Sequence, residues 1–180
     1  MINSEGNSMS KDILPKEELL ASLKNVVSDL MQVLNKFNGL NINTVPFEGS
    51  WTAAQVVDHI TRSNMSIARA FTLKGTIINR NPAERVQELK EIFLNFNITF
   101  QAPDFILPTQ ATYEKKMLIA LLNRSVDKIR EVSCQADLSE MINHPAFGDI
   151  TKFEILHFVL FHTLRHIHQL EKIFLAVSDR

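Results

Sequence analysis

The stretch Phe153-Glu154-Ile155-Leu156-His157-Phe158-Val159-Leu160-Phe161-His162-Thr163-Leu164-Arg165-His166-Ile167-His168-Gln169-Leu170-Glu171-Lys172-Ile173-Phe174 is a long apolar run that carries four histidines. Its periodicity is helical: Ile155, Leu156, Val159, Leu160, Ile167, Leu170, Ile173, Phe174 and Val177 form one broad apolar stripe. His166 falls inside the stripe and His162 on its edge. At a spacing of four they lie one above the other on one face. Gln169 sits beside His162 on the same side. His157 and His168 project nearly opposite, toward Glu154, Arg165 and Lys172, and are expected to be solvated. Thr151 and Glu154 have the spacing of a capping box, so the helix is expected from there to about Val177.

Working outward, three more long helices are expected. Leu19, Leu20, Leu23, Val26, Val27, Leu30, Leu34 and Phe37 recur at helical spacing from Pro15 to Phe37, with Pro15 in the first turn and Gly39 beyond the end. A second helix starts near Trp51, with Thr52 and Gln55 as its capping box and Val56, Ile60, Ile67 and Phe71 as its buried stripe. His59 and Ser63 fall on that inward stripe, whereas Asp58 faces solvent. Asn81-Pro82 opens a short helix through about Phe93, and Pro103 and Pro108 bracket an extended stretch. The third long helix runs from about Gln110 to Ser133, with Met117, Leu118, Leu121, Leu122, Ile129 and Val132 as its apolar set and Cys134 as a packing residue near its end. The segment 143–150, with His144 before Pro145, reads as a loop. The fold class is therefore all-α: a four-helix bundle with one short extra helix between the second and third long helices. The polar first residues, 1–14, are expected to be a flexible N-terminal segment, leaving one domain over 15–180.

Composition narrows the function. Nineteen Lys and Arg against twenty Asp and Glu give a net charge of −1, with no block of like charges. That argues against nucleic acid or an anionic membrane as partner. The single cysteine excludes an internal disulfide and suits a reducing compartment. The first residues carry no apolar core of a signal peptide and no run is long enough to span a bilayer, so a cytoplasmic protein is expected. His162-Thr163-Leu164-Arg165-His166 lacks the glutamate of a His-Glu-x-x-His protease, and no phosphate-binding glycine loop or nucleophile elbow is present.

Two inward histidines in an apolar place must find several partners. They can bind one divalent metal through neutral ring nitrogens, in which case a third ligand has to come from elsewhere, and His59 is the best candidate. Alternatively they bond to one another, to backbone or to buried water in a non-catalytic bundle that binds a ligand or a protein.

These residues resemble the DinB/YfiT-like superfamily. Trp51 followed by His59 is similar to the family's opening of the second helix. His144-Pro145-Ala146-Phe147-Gly148-Asp149-Ile150-Thr151 is similar to its His-Pro-x-x-Gly lead into the last helix, and His162 to His166 with Gln169 beyond to its terminal His-x-x-x-His signature. The resemblance implies His59, His162 and His166 as ligands of one divalent ion, zinc or nickel, in an up-down-down-up bundle that is often a homodimer. It implies an enzyme acting on a small-molecule substrate: a transferase or isomerase using a low-molecular-weight thiol such as bacillithiol, mycothiol or glutathione, or else a metal-dependent hydrolase. Gln169 and Ser63 become possible contacts beside the ion or substrate. One common form of the motif continues Arg-Gly-Gln, where this chain has Ile167-His168-Gln169, so no particular thiol follows.

Overall fold

The computed structural model of the chain describes residues 13–178. In chain order it contains helices α1 (Lys16–Lys36), α2 (Ala53–Thr72), the short α3 (Val86–Phe93) and α4 (Lys115–Gln135). A hairpin of β1 (Met141–His144) and β2 (Gly148–Thr151) then leads into α5 (Lys152–Ser178). No helix among the described residues is long and apolar enough to cross a membrane. Of the expected flexible segment 1–14, all but Ile13 and Leu14 lie outside the described residues, and those two pack against the core.

Two apolar clusters set the helix directions. Leu19 and Val26 at the start of α1 meet Ile67 and Phe71 at the end of α2, Ile129 and Val132 at the end of α4, and Ile155 at the start of α5. At the other end Leu30 and Leu34 meet Val56 and Ile60, Leu118 and Leu122, and Leu170 and Ile173. Thus α1 and α5 run one way and α2 and α4 the other, up-down-down-up. Successive α2 and α4 share a direction, so the chain between them must travel back along the bundle. That return path carries α3 and the strap, residues 94–109.

Both expected capping boxes form. Thr52 and Gln55 exchange bonds of 3.0 and 3.2 Å at the start of α2. Thr151 and Glu154 do so at 2.9 and 3.0 Å. α4 begins later than the expected Gln110: Glu114 caps the helix by accepting from the amides of Lys116 and Met117. Of its expected apolar set, Met117 and Leu121 are exposed, as is Cys134, because α4 packs extensively on α2 alone and buries only a narrow face. α3 also begins later than Asn81-Pro82 suggests, after a turn in which Asn81 Oδ1 accepts from the Ala83 amide. The stretch between Pro103 and Pro108 is not simply extended but holds a 3₁₀ turn, Asp104–Ile106.

The expected loop 143–150 is instead mostly hairpin. Ile142 and Ile150 pair across it, both buried, and His144 pairs with Gly148. Gly148 has φ +63°, the left-handed conformation that closes a three-residue turn. The strands are too short for their alternation to stand out against the Pro-Ala-Phe-Gly turn.

Candidate metal centre

α2 and α5 pack against each other, and the inward stripes of the two helices bring His59 of α2 onto His162 and His166 of α5. One ring nitrogen from each lies within 4.8 Å of the other two. His162 Nε2 is 3.1 Å from His59 Nε2 and 3.0 Å from His166 Nε2. All three residues are buried. The convergence expected of these three residues is therefore present.

The outer nitrogens decide the chemistry of the inner ones. His59 Nδ1 is 3.1 Å from the carbonyl oxygen of Ile106 on the strap, which can only accept, so Nδ1 carries the proton. His166 Nδ1 likewise donates to Gln169 Oε1 at 2.8 Å. Neutral rings held this way turn unprotonated Nε2 lone pairs toward His162, whose own Nε2 can donate to only one of them. At least one inward lone pair is then left facing a ring nitrogen about 3 Å away with no proton between them. That is repulsive unless a cation lies between, and two nitrogens each about 2.0–2.1 Å from one zinc ion lie roughly 3 Å apart. The residues present fit a divalent metal, with Ile106 and Gln169 as the partners that fix ring orientation.

Burial keeps the cluster neutral. It drives His162 well below the ordinary histidine range, helped by His166, His59 and Arg165. It drives His166 down from 6.5 to about 3, with His59 adding to the effect. His59 is lowered too, burial outweighing the Ile106 carbonyl and Asp58. Between the two His166 values the unfolded chain binds a proton that the folded chain refuses, so stability must fall as pH drops through that window. For metal-free protein the urea midpoint should be flat above about pH 7. Below about 6.5 it should decline, the unfolding free energy falling with a slope approaching about 1.4 kcal/mol per pH unit for each histidine kept neutral. His166→Gln should reduce that slope, and an unchanged slope would contradict the assignment.

A model of the DinB superfamily matches residues 15–170. The chain belongs to the DinB superfamily. Among its relatives is YuaE of Bacillus subtilis, an uncharacterized protein, 22% identical over 154 residues that span 79% of this chain and 91% of YuaE. Two solved structures are similar in fold. YfiT from Bacillus subtilis, described as a probable metal-dependent hydrolase with an unusual four-helix bundle topology, has a TM-score of 0.60 at 18% identity, over 98% of this chain and 94% of YfiT. TT2238, a four-helix bundle protein, has a TM-score of 0.57 at 19% identity, over 87% of this chain and 98% of TT2238.

In this superfamily member the histidine cluster forms part of the wall of a cavity of about 850 Å³, roofed by the strap. Ser63 lines it, as expected of an inward residue, and Trp51 lies 5.2 Å from the His59 ring. Other expectations are corrected. Asp58 does not face solvent: its Oδ2 accepts from Tyr113 Oη at 2.8 Å, Arg62 Nε at 3.1 Å and the Thr109 amide at 3.3 Å. It pins the end of the strap to α2, and the strap supplies the Ile106 carbonyl to His59. His157 is fully buried rather than solvated, because α1, α2 and α3 all pack on α5 and leave little of it free. Its Nδ1 donates to the Phe153 carbonyl while Nε2 has no partner. His168 is half-buried, stacked at 4.1 Å on Phe96. His144 is buried and lines the cavity, since strand alternation puts it on the same face as Ile142. Its Nδ1 accepts from the Ala146 amide, which leaves an unpartnered N–H at Nε2. Nothing in the local sequence marks Asp58 or His157 as buried, because the segments that cover them lie far along the chain.

Proposed function

We propose that this chain is a metal-dependent enzyme in which His59, His162 and His166 hold one divalent ion, zinc or nickel, beside a cavity for a small-molecule substrate. The observation that carries the reading is the meeting of three neutral imidazoles, two with their lone pairs fixed inward, at the wall of that cavity. Three ligands leave a coordination position for a further group. A divalent ion there lowers the pKa of a bound water or thiol and makes a nucleophile near neutral pH.

The chain's own residues supply position and exclusion of water. Gln169 and the Ile106 carbonyl hold the rings, and Phe93 and Phe158 pack against His162. Asp104, on the exposed side of the strap, is the one carboxylate among the described residues that line the cavity, so no buried carboxylate base is offered there. A low-molecular-weight thiol is the first candidate nucleophile, giving S-transfer to an electrophilic substrate. Water, giving hydrolysis, is the second, and the description of YfiT favours it.

Chelator-stripped protein reconstituted with zinc or nickel tests the proposal. Elemental analysis should find one ion per chain. Consumption of glutathione with an electrophile, or hydrolysis of an activated ester, should appear only after reconstitution. Failure to take up either metal near stoichiometry would refute it.

A further inference from the structure

Two features of the cavity are not used by the histidine cluster. The first is its roof. Phe96, Ile98, Phe100, Phe105 and Leu107 of the strap all line the cavity, yet each is between 37% and 46% exposed. Large apolar side chains gathered this way remain in water unless something apolar covers them. The second is charge. Arg165, His168 and Lys172 follow at i, i+3 and i+7 along α5 and so form one ridge, about 10 Å long, that borders the same cavity. Arg165 donates to the carbonyls of Phe93, Asn95 and Ile98 and lies 4.7 Å over the Phe100 ring. Neither Arg165 nor Lys172 has a carboxylate partner among the described residues. Asp104 is the only acid among the described residues that line the cavity, against these two basic side chains.

From this pairing we infer that the cavity takes an organic anion with an apolar, preferably aromatic body: the body lies against the strap and the anionic group meets the Arg165–Lys172 ridge. The inference deepens the proposed function and rests on it for the reaction, but the charge preference belongs to α5 and does not need the ion. Such a ligand satisfies both features at once. A neutral apolar molecule leaves the cations unmatched, and a small hydrophilic anion leaves the strap wet. A cavity of about 850 Å³ accommodates a small organic molecule.

The test compares 4-phenylbutyrate, 4-phenylbutanamide and butyrate by calorimetry and by the fluorescence of Trp51, the chain's one tryptophan, which lines the cavity. Both metal-free and zinc-treated protein are titrated, because an ion would attract any carboxylate by itself. Metal-free protein should bind phenylbutyrate roughly tenfold more tightly than either analogue. Lys172→Gln, an exposed substitution, should cut the preference for acid over amide by about threefold without changing amide binding. Arg165 is left in place because it ties down the strap. Equal affinity for acid and amide in metal-free protein overturns the inference, and so does binding of none of the three, the result expected if a second copy of the chain covers the strap. If zinc is not taken up but the acid preference persists, the metal reading fails and this one stands.

Discussion

Replacing His59 by alanine is expected to lower zinc affinity at least about a hundredfold. Loss of a mere hydrogen-bond partner of a metal ligand already costs about 10–100-fold, and in the proposed site the substitution removes a ligand itself, leaving two on α5. The fold should survive. Removal of His59 relieves the crowding of nitrogens around His162 while leaving the Ile106 carbonyl unpaired, a cost of about 1–3 kcal/mol. Zinc at about a thousand times the parent's Kd should raise the unfolding free energy of the unaltered protein by about 4 kcal/mol and that of the variant by about 1.4 kcal/mol or less. Denaturation with and without zinc, alongside far-ultraviolet circular dichroism, makes the comparison. A variant that binds zinc as the parent does would remove His59 from the site. One that loses mainly stability would make the histidines structural.

The largest stability loss is expected at Arg80→Ala. Glu154 caps α5 from a position with no exposed side-chain surface, and Arg80 grips it through two bonds of 2.6 and 2.9 Å. The amides of Arg85 and Thr151 complete its coordination, at 2.9 Å each. Burial raises the carboxyl's pKa, but Arg80 and those amides more than reverse it, so it lies below its usual 4.5. Removing the guanidinium strands a buried charge, which costs about 3–5 kcal/mol. The lower end applies because Arg80 is itself 24% exposed. The sign follows from linkage. The pair's contribution is present above about pH 4.5 and is lost as pH falls through the lower folded value. The gap between variant and parent should therefore be widest near neutrality and close in acid. Adding Glu154→Gln to Arg80→Ala should recover part of the loss. A urea midpoint for Arg80→Ala within experimental error of the parent would contradict this account.

Much of the site was legible because it depends on helical phase. His59, Ser63, His162 and His166 lie on regular amphipathic segments, and both capping boxes announce where α2 and α5 begin. Residues whose surroundings come from far along the chain were not legible. On the wheel of α2 alone Asp58 faces water, but the strap and Tyr113 cover that side from some fifty residues away. His157 failed for the same reason: a face opposite the main stripe is solvent only when one neighbour packs on the helix, and α5 has three. The hairpin fell below detection because four-residue strands offer too few alternations to outweigh their turn.

The partner that orients His59 is a main-chain oxygen. Side-chain replacement at position 106 leaves that acceptor in place, so the roof's composition can be rewritten without touching the tautomer of the ring beneath it. What must persist is the route of the backbone, anchored by the Thr109 amide on Asp58. Such a division of labour lets a lineage alter the lining of the chamber while the orientation of the imidazole stays constant.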